Sequence, residues 1–439
     1  MKSLERVVFS TSLVIVSVIY GCVAAAFGWF PSDIVAAGFS QANAITSRHF
    51  LAPRKYDRAG AKTFDAATLQ PGLTLISSMW PEPGGWYAGL RLIDHAGTVL
   101  HQWRVNPDEV FSEVRESTVR LWSWEIRLED ANIHGSHLFA DGDILVNMES
   151  IGSVRLDACS QVRWILDEGS HHSIAEDDDG SFWIPALDYW EEPEVMARSG
   201  EYPGLDAPLI NNRILRVSPK GKVVEDISML DVLYANDLHR YFARSELSTG
   251  DVLHVNDVEP LSAQIAEEYP LFEEGDLLVS IRNISVVLVL DPKTKRVKWH
   301  ASHPFVQQHD PDFIGGGWVG VFDNSTDPAG GKMLGGSQIV ALRPHTNSVR
   351  VLYPGAHSEP FYTEIMGKWQ LLDNGNMLLT EARTGRVIEV DPSGRTVWEW
   401  INKPFDDRVA EVAEGTRYAL TPEQVAQWPC GPGVAGEES

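Results

Sequence analysis

The chain has 439 residues, 44% of them hydrophobic, and carries 61 acidic against 36 basic side chains, a formal net charge of -25. That length and hydrophobic content suit a large all-β domain with an extensive core, and the acidic surface repels phosphate backbones, so nucleic-acid partners are excluded. Fifteen Trp and 36 Gly point to many short strands joined by tight turns rather than to a helical protein.

The first element is apolar. No charge falls between Arg6 and Asp33, and VVFSTSLVIVSVIYGCVAAAFGWF (Val7–Phe30) is long enough to span a bilayer. A signal-peptide core is usually shorter. Residues 1–30 therefore read as a transmembrane signal anchor, with cleavage near Ala24–Ala26 or a buried helix as the alternatives. An anchor or a cleaved signal places the rest outside the cytoplasm, in the periplasm if the anchor sits in an inner membrane. Residues 31–65 read as a linker, 66–405 as the folded domain and 406–439 as a polar tail. Of the three cysteines, Cys22, Cys159 and Cys430, none is close to another and no C-x-x-C occurs. This argues against a disulfide framework or a zinc knuckle, and nothing in the spacing supports a Cys159–Cys430 bridge.

The folded region repeats. HLFADGDILVNMESIGSVRLDACSQVRW (137–164), EEGDLLVSIRNISVVLVLDPKTKRVKW (273–299) and QLLDNGNMLLTEARTGRVIEVDPSGRTVWEW (370–400) share one order. A turn with Gly is followed by an apolar strand, a polar turn, a second strand ending in Asp, and a strand ending in Trp. Weaker copies occupy 89–103, the stretch around 177–227 and 315–353. Six units of this size indicate an all-β, six-bladed β-propeller, with a fourth strand per blade in the connections. The faint first unit leaves five or seven blades open, and a β-sandwich would not explain the repeat. Residues 104–131 and 228–246 have helical spacing, and 188–210 form a Pro/Glu-rich insertion.

The histidines fall into register with the turns. His134, His172 and His309 each lie eight residues before a turn glycine, Gly142, Gly180 and Gly317; Gly367 holds that place before Gly375. His254 heads the 273–299 unit behind an acidic insertion. Equivalent positions on innermost strands point at one axis, so these imidazoles should converge. A lone histidine at a strand start is usually a packing partner; four in or near register argue for a site. Arg282 follows the first strand of the His254 unit, and Asn256, two residues beyond His254, should face the same way. A ring of His alone would suit a metal. With Arg and Asn it better suits an oxyanion, so the site is expected to hold no metal and no cofactor.

In this order, HHSIAEDDDGSFWIPA, HVNDVEPL with SIRNISVVLVLD, QQHDPDFIGGGWVGVFDN and GKWQLLDNGNMLLTEARTGRVIEVD resemble the successive motifs of bacterial arylsulfotransferases over about residues 130–400. The resemblance implies a six-bladed propeller that moves a sulfuryl group between phenols without a nucleotide donor. It implies that His309 attacks sulfur to form a sulfohistidine. His254, Asn256 and Arg282 would hold sulfate oxygens, and His172, rather than His171, would act on the phenol oxygen. EPFYTEIMG adds Thr363 as a substrate-binding candidate, and His134 joins through its register. The partners implied are small aryl sulfates and phenols, besides the membrane reached through the N-terminal helix; an oligomer is compatible with the sequence. Trp183, Trp318, Phe361 and Tyr362 lie near the motifs, either to stack on aryl rings or to pack the blades. The chain lacks room for the separate N-terminal β-sandwich of well-known members. Two other readings stand beside this one: a non-catalytic anchored propeller used for binding or assembly, and a metal-dependent hydrolase or lyase built on the His ring.

Overall fold

A computed structural model describes residues 11–12, 16–21, 50–83, 85–111, 132–191, 194–195, 198, 200–242 and 247–430. Most of the apolar run 7–30 lies outside them. Among the described residues no helix is long and apolar enough to cross a membrane.

The repeat units fold as antiparallel sheets. The second sheet runs Ile133–Leu138, Ile144–Met148, Gly152–Leu156 and Val162–Leu166 in order. The third runs Ala175–Glu176, Phe182–Trp190, Leu209–Val217 and Val223–Ser228. The fourth runs Val255–Pro260, Leu277–Ile281, Val286–Leu290 and Val297–Ala301, and the fifth His309–Phe313, Val319–Asp323, Gln338–Arg343 and Ser348–Tyr353. The sixth runs Trp369–Leu371, Met377–Glu381, Arg386–Val390 and Thr396–Ile401, with Gly60–Thr63 added at its outer edge.

The first sheet is assembled from distant parts of the chain. Leu73–Glu82, Gly85–Ile93 and Val99–Val105 are joined by Val412–Tyr418, which pairs antiparallel with Leu73–Glu82 from Val412 opposite Ser78 to Tyr418 opposite Leu73. The first strand of the fourth sheet also packs on that of the fifth, and Val412–Tyr418 packs on strands of both the second and the sixth. The architecture is propeller-like.

Burial follows the strand order. The central strands Leu277–Ile281 and Val286–Leu290 are apolar throughout apart from Ser280, and buried on both faces, as strands between packed sheets must be. The outer strand Val162–Leu166 is largely exposed. Trp103, Trp183, Trp369 and Trp398 are among the largest fully buried side chains.

Several boundaries differ from the sequence reading. Residues 406–439 are no simple polar tail: Val412–Tyr418 is a buried strand, and Arg408–Ala410 pairs with Leu51–Pro53 inside the supposed linker. Cys159 and Cys430 are bonded, 271 residues apart, with Cα atoms 5.2 Å apart. Trp428 directs the approach, with its Nε1 donating to the Ala140 carbonyl at 3.1 Å. Of the helical stretch 228–246, Met229–Ala235 is an α-helix capped by Ser228, and His239–Tyr241 is a 3-10 turn. In 104–131 a short helix spans Pro107–Val110, and residues 112–131 lie outside the described set.

Candidate functional site

The innermost strands bend at the same level. Register shifts interrupt the pairing at Ile133/Ser136, Val255/Asp257, His309/Asp312 and Val412/Glu414. Bulges re-aim side chains, and here they free His134, Asn256, Asp310 and Ala413 from the ladder. Left-handed backbone gathers beside them: φ is 56° at His172, 53° at His254, 55° at Gln307 and 47° at Asp310. Such strain in non-glycine residues persists only where surrounding contacts hold it. The contacts are visible. Asn147 donates to the His172 carbonyl at 2.9 Å, the His254 N–H donates to Asp251 Oδ1 at 2.8 Å, and the Trp369 N–H donates to Asp310 Oδ2 at 2.7 Å. Gly135, at φ 130°, is required: a Cβ there would lie 1.7 Å from the His172 carbonyl oxygen.

The result is a cluster of imidazoles around His172. Its ring centroid lies 4.0 Å from that of His134, 4.9 Å from His171, 4.9 Å from His254 and 6.3 Å from His309. The histidines in turn register do converge. His134, His172, Asn256 and His309 line a cavity together with Asp257, Asp310, Lys368 and Glu414. Its volume is about 30 Å³, room for one or two waters.

Each imidazole has its own surroundings. His309 is buried, with Nδ1 2.6 Å from Asn324 Oδ1. Burial and the nearby Arg282 charge hold it well below the usual imidazole pKa. Burial and the neighbouring imidazoles, His134 foremost, depress His172 similarly. His171 sits behind His172, Nδ1 to Nδ1 at 2.7 Å, and burial brings it down to about 3. It does not line the cavity. Whichever ring donates that shared hydrogen decides whether His172 offers an N–H or a lone pair. His254 Nδ1 lies 2.6 Å from Asp251 Oδ2. Asp251, though buried, is held to about 2 by His254 and by hydrogen bonds. His134 Nδ1 is 3.9 Å from Glu149 Oε2.

Arg282 contacts amide oxygens only, Asn283 Oδ1 at 3.0 Å and Gln307 Oε1 at 3.2 Å; among the described residues no carboxylate pairs with it. Burial holds its pKa below the usual guanidinium value, and the Asp251 charge partly offsets this. Asn256 Nδ2 donates to the Gln308 carbonyl at 2.8 Å, and its Oδ1 is buried without a partner. Thr363 does not line the cavity: its hydroxyl donates to the Ile365 carbonyl at 2.7 Å. Trp183 and Phe361 belong to the core, and the Arg350 guanidinium lies 4.2 Å from the centre of the Trp318 ring.

Sequence reasoning missed a second layer. Asp257, Glu259, Asp310 and Asp312 gather with Glu414 around Lys368, whose Nζ lies 3.6 Å from Asp310 Oδ1 and 3.7 Å from Glu414 Oε2. Burial raises the carboxyls of Asp257, Asp310 and Asp312, and that of Glu259 to about 7. The available signal was the period-two spacing of acids on inner strands, in HDPD and NDVE. Among the described residues no group of three or more His, Cys, Asp or Glu side chains is arranged to hold a metal ion.

A family model described as Arylsulfotransferase (ASST) matches residues 135–403. No curated protein matches the chain significantly. Among solved structures, a protein of unknown function from Bacteroides caccae is 12% identical, with a TM-score of 0.47, covering 79% of this chain and 98% of its own. A streptogramin B lyase structure is 10% identical with a TM-score of 0.39, covering 79% and 88%. The WD40 propeller domain of Doa1 is 10% identical with a TM-score of 0.39, covering 86% and 97%.

Proposed function

Because the chain belongs to the arylsulfotransferase family, we propose that it moves a sulfuryl group from an aryl sulfate to a phenol through a sulfohistidine on His309, on a six-bladed propeller. The observation that carries this reading is the unpaired Arg282 guanidinium beside a neutral, buried His309 in a cluster of imidazoles. A neutral imidazole is a competent nucleophile, and two half-reactions replace one harder displacement.

In the first half-reaction an imidazole nitrogen of His309 attacks sulfur. The N–S bond forms as the S–O bond to the aryl group breaks. Arg282 and His254 stabilise the sulfuryl oxygens, on which negative charge collects. The bound ester's charge favours protonated His172, which gives its proton to the leaving phenolate. In the second half-reaction the acceptor phenol returns a proton to His172 as its oxygen attacks sulfur, and the N–S bond breaks. The cavity has no room for an aryl ring, so the ring belongs at its mouth; His254 and Arg282 are not among the residues that line it. Asn256 gives one Nδ2 hydrogen to the Gln308 carbonyl, which leaves the second for a sulfuryl oxygen. The Cys159–Cys430 disulfide supports an oxidising, extracytoplasmic location, in keeping with the apolar run Val7–Phe30 as signal or anchor.

The test is to incubate the protein with 4-nitrophenyl sulfate and analyse it by mass spectrometry at alkaline pH. The expected result is a sulfuryl adduct on His309 with release of nitrophenol, both lost in His309→Asn. Folded protein that forms no adduct with any of a panel of aryl sulfates would leave the site a binding module instead.

A further inference from the structure

The motif around His309 ends in Asp323-Asn324, and the chemistry above gives Asn324 no part. Its surroundings are tightly constrained. Asn324 is fully buried. Its Nδ2 donates to two carbonyl oxygens across the boundary to the sixth sheet, Met366 at 2.7 Å and Thr363 at 3.0 Å. Both amide hydrogens are thereby used. The orientation of the amide follows: turning it over would set Oδ1 against two carbonyl oxygens at those same distances, two repulsive contacts in a buried place. Oδ1 therefore faces His309 Nδ1, at 2.6 Å.

An amide oxygen only accepts. We infer that Asn324 is a positioning residue that sets the tautomer of His309: Nδ1 carries the hydrogen, and Nε2 is left with the lone pair for attack on sulfur. A neutral imidazole has one nitrogen of each kind, and the partner of one decides the state of the other. Free in solution, the ring exchanges between both forms; here the acceptor selects one before substrate arrives. The hydroxyl of Ser337 steadies the same junction, donating to the Asn324 carbonyl at 3.0 Å, and the Thr363 N–H donates to Ser337 Oγ at 3.1 Å. The plainer role, a clamp between the fifth and sixth sheets, is filled by the Nδ2 contacts alone and does not require Oδ1 to meet the nucleophile.

This inference rests on the sulfohistidine reading for its purpose, and its test does not. The full chain labelled with 15N-histidine is examined by long-range 15N–1H correlation at pH 7.5, with the His309 signals assigned by their loss in His309→Gln. The expected result is neutral His309 with Nδ1 protonated and Nε2 bare. Asn324→Asp, protonated because it is buried against two carbonyls, donates its hydroxyl to one of them, keeps an acceptor toward Nδ1 and retains that tautomer. Asn324→Leu loses it and slows adduct formation from 4-nitrophenyl sulfate by about 10²-fold or more, with little change in the concentration of half-saturation. His309 protonated at Nε2, or averaging between forms in the wild type, overturns the inference even if the adduct forms. So does an unchanged tautomer in Asn324→Leu. If the leucine variant does not fold, the wild-type and aspartate spectra still decide. Failure to form any adduct, with Nδ1 protonated, overturns the sulfohistidine reading and leaves this one standing.

Discussion

Lys368 sits among five carboxyl groups on inner strands, and replacing it tests whether that layer is held by its charge. At an effective dielectric constant of 20, each ion pair at 3.6–3.7 Å is worth about 4–5 kcal/mol. The carboxyls recover much of that loss by taking up protons. Lys368→Met should therefore cost about 2–4 kcal/mol at pH 8.5, where proton uptake is hardest, and less at pH 6.5. The sign follows from the raised carboxyl values. Glu259 moves from 4.5 to about 7, a difference of 2.5, so it lowers stability by about 3 kcal/mol once ionised. Stability from this layer is greatest below the unfolded carboxyl range and falls as pH rises through about 7. Buried histidines act oppositely at lower pH. His171, at about 3, adds stability as pH climbs to 6.5 and none beyond. Glu149 and Asp251, held to about 2, change only below the usual carboxylate range. Glu411, which burial also raises to about 7, contributes equally in both proteins, so the carboxyl layer is read in the window 6.5–8.5 from the difference between them. Urea unfolding followed by tryptophan fluorescence should show both proteins losing stability across it, the variant more steeply. Equal stability at pH 8.5, or a variant that gains stability with rising pH, would refute the reasoning.

Two further outcomes are expected. Since His309 is held well below the ordinary imidazole value by burial and Arg282, the rate of nitrophenol release in the first turnover should not fall between pH 8 and 6; a loss of half the rate at 6.5 would mean an unperturbed nucleophile. Replacing both Cys159 and Cys430 by serine opens a loop of 271 residues and should lower unfolding free energy by up to about 5 kcal/mol, with unchanged stability showing that Trp428 alone holds the C-terminal segment.

What the sequence made legible was local and periodic. Turn glycines fix strand starts, strand starts fix which side chain faces the axis, and so His134, His172 and His309 could be aligned by counting. His254 was harder, because the acidic insertion separates it from its turn, but its strand bulges at the same level. What stayed hidden depends on distant pairing. The first unit read as faint because its innermost strand, Val412–Tyr418, lies more than 300 residues from its partner. The Cys159–Cys430 bond is hidden for the same reason. Thr363 was drawn to the site by proximity in sequence, yet its hydroxyl is spent on a carbonyl two residues on. Asn324 was visible in the motif; that its oxygen meets His309 depends on carbonyls in the loop that leads into the sixth sheet.

The strand Val412–Tyr418 also governs when the molecule can work. Ala413 and Glu414 border the cavity, so its wall is incomplete in a shorter nascent chain. Five sheets can form as their strands emerge, but the first stays one strand short until residue 418 meets residue 73. Pairing at such separation is slow, and it comes last. Any truncation before this strand removes one wall of the cavity, so the C-terminal segment and the site are gained or lost together.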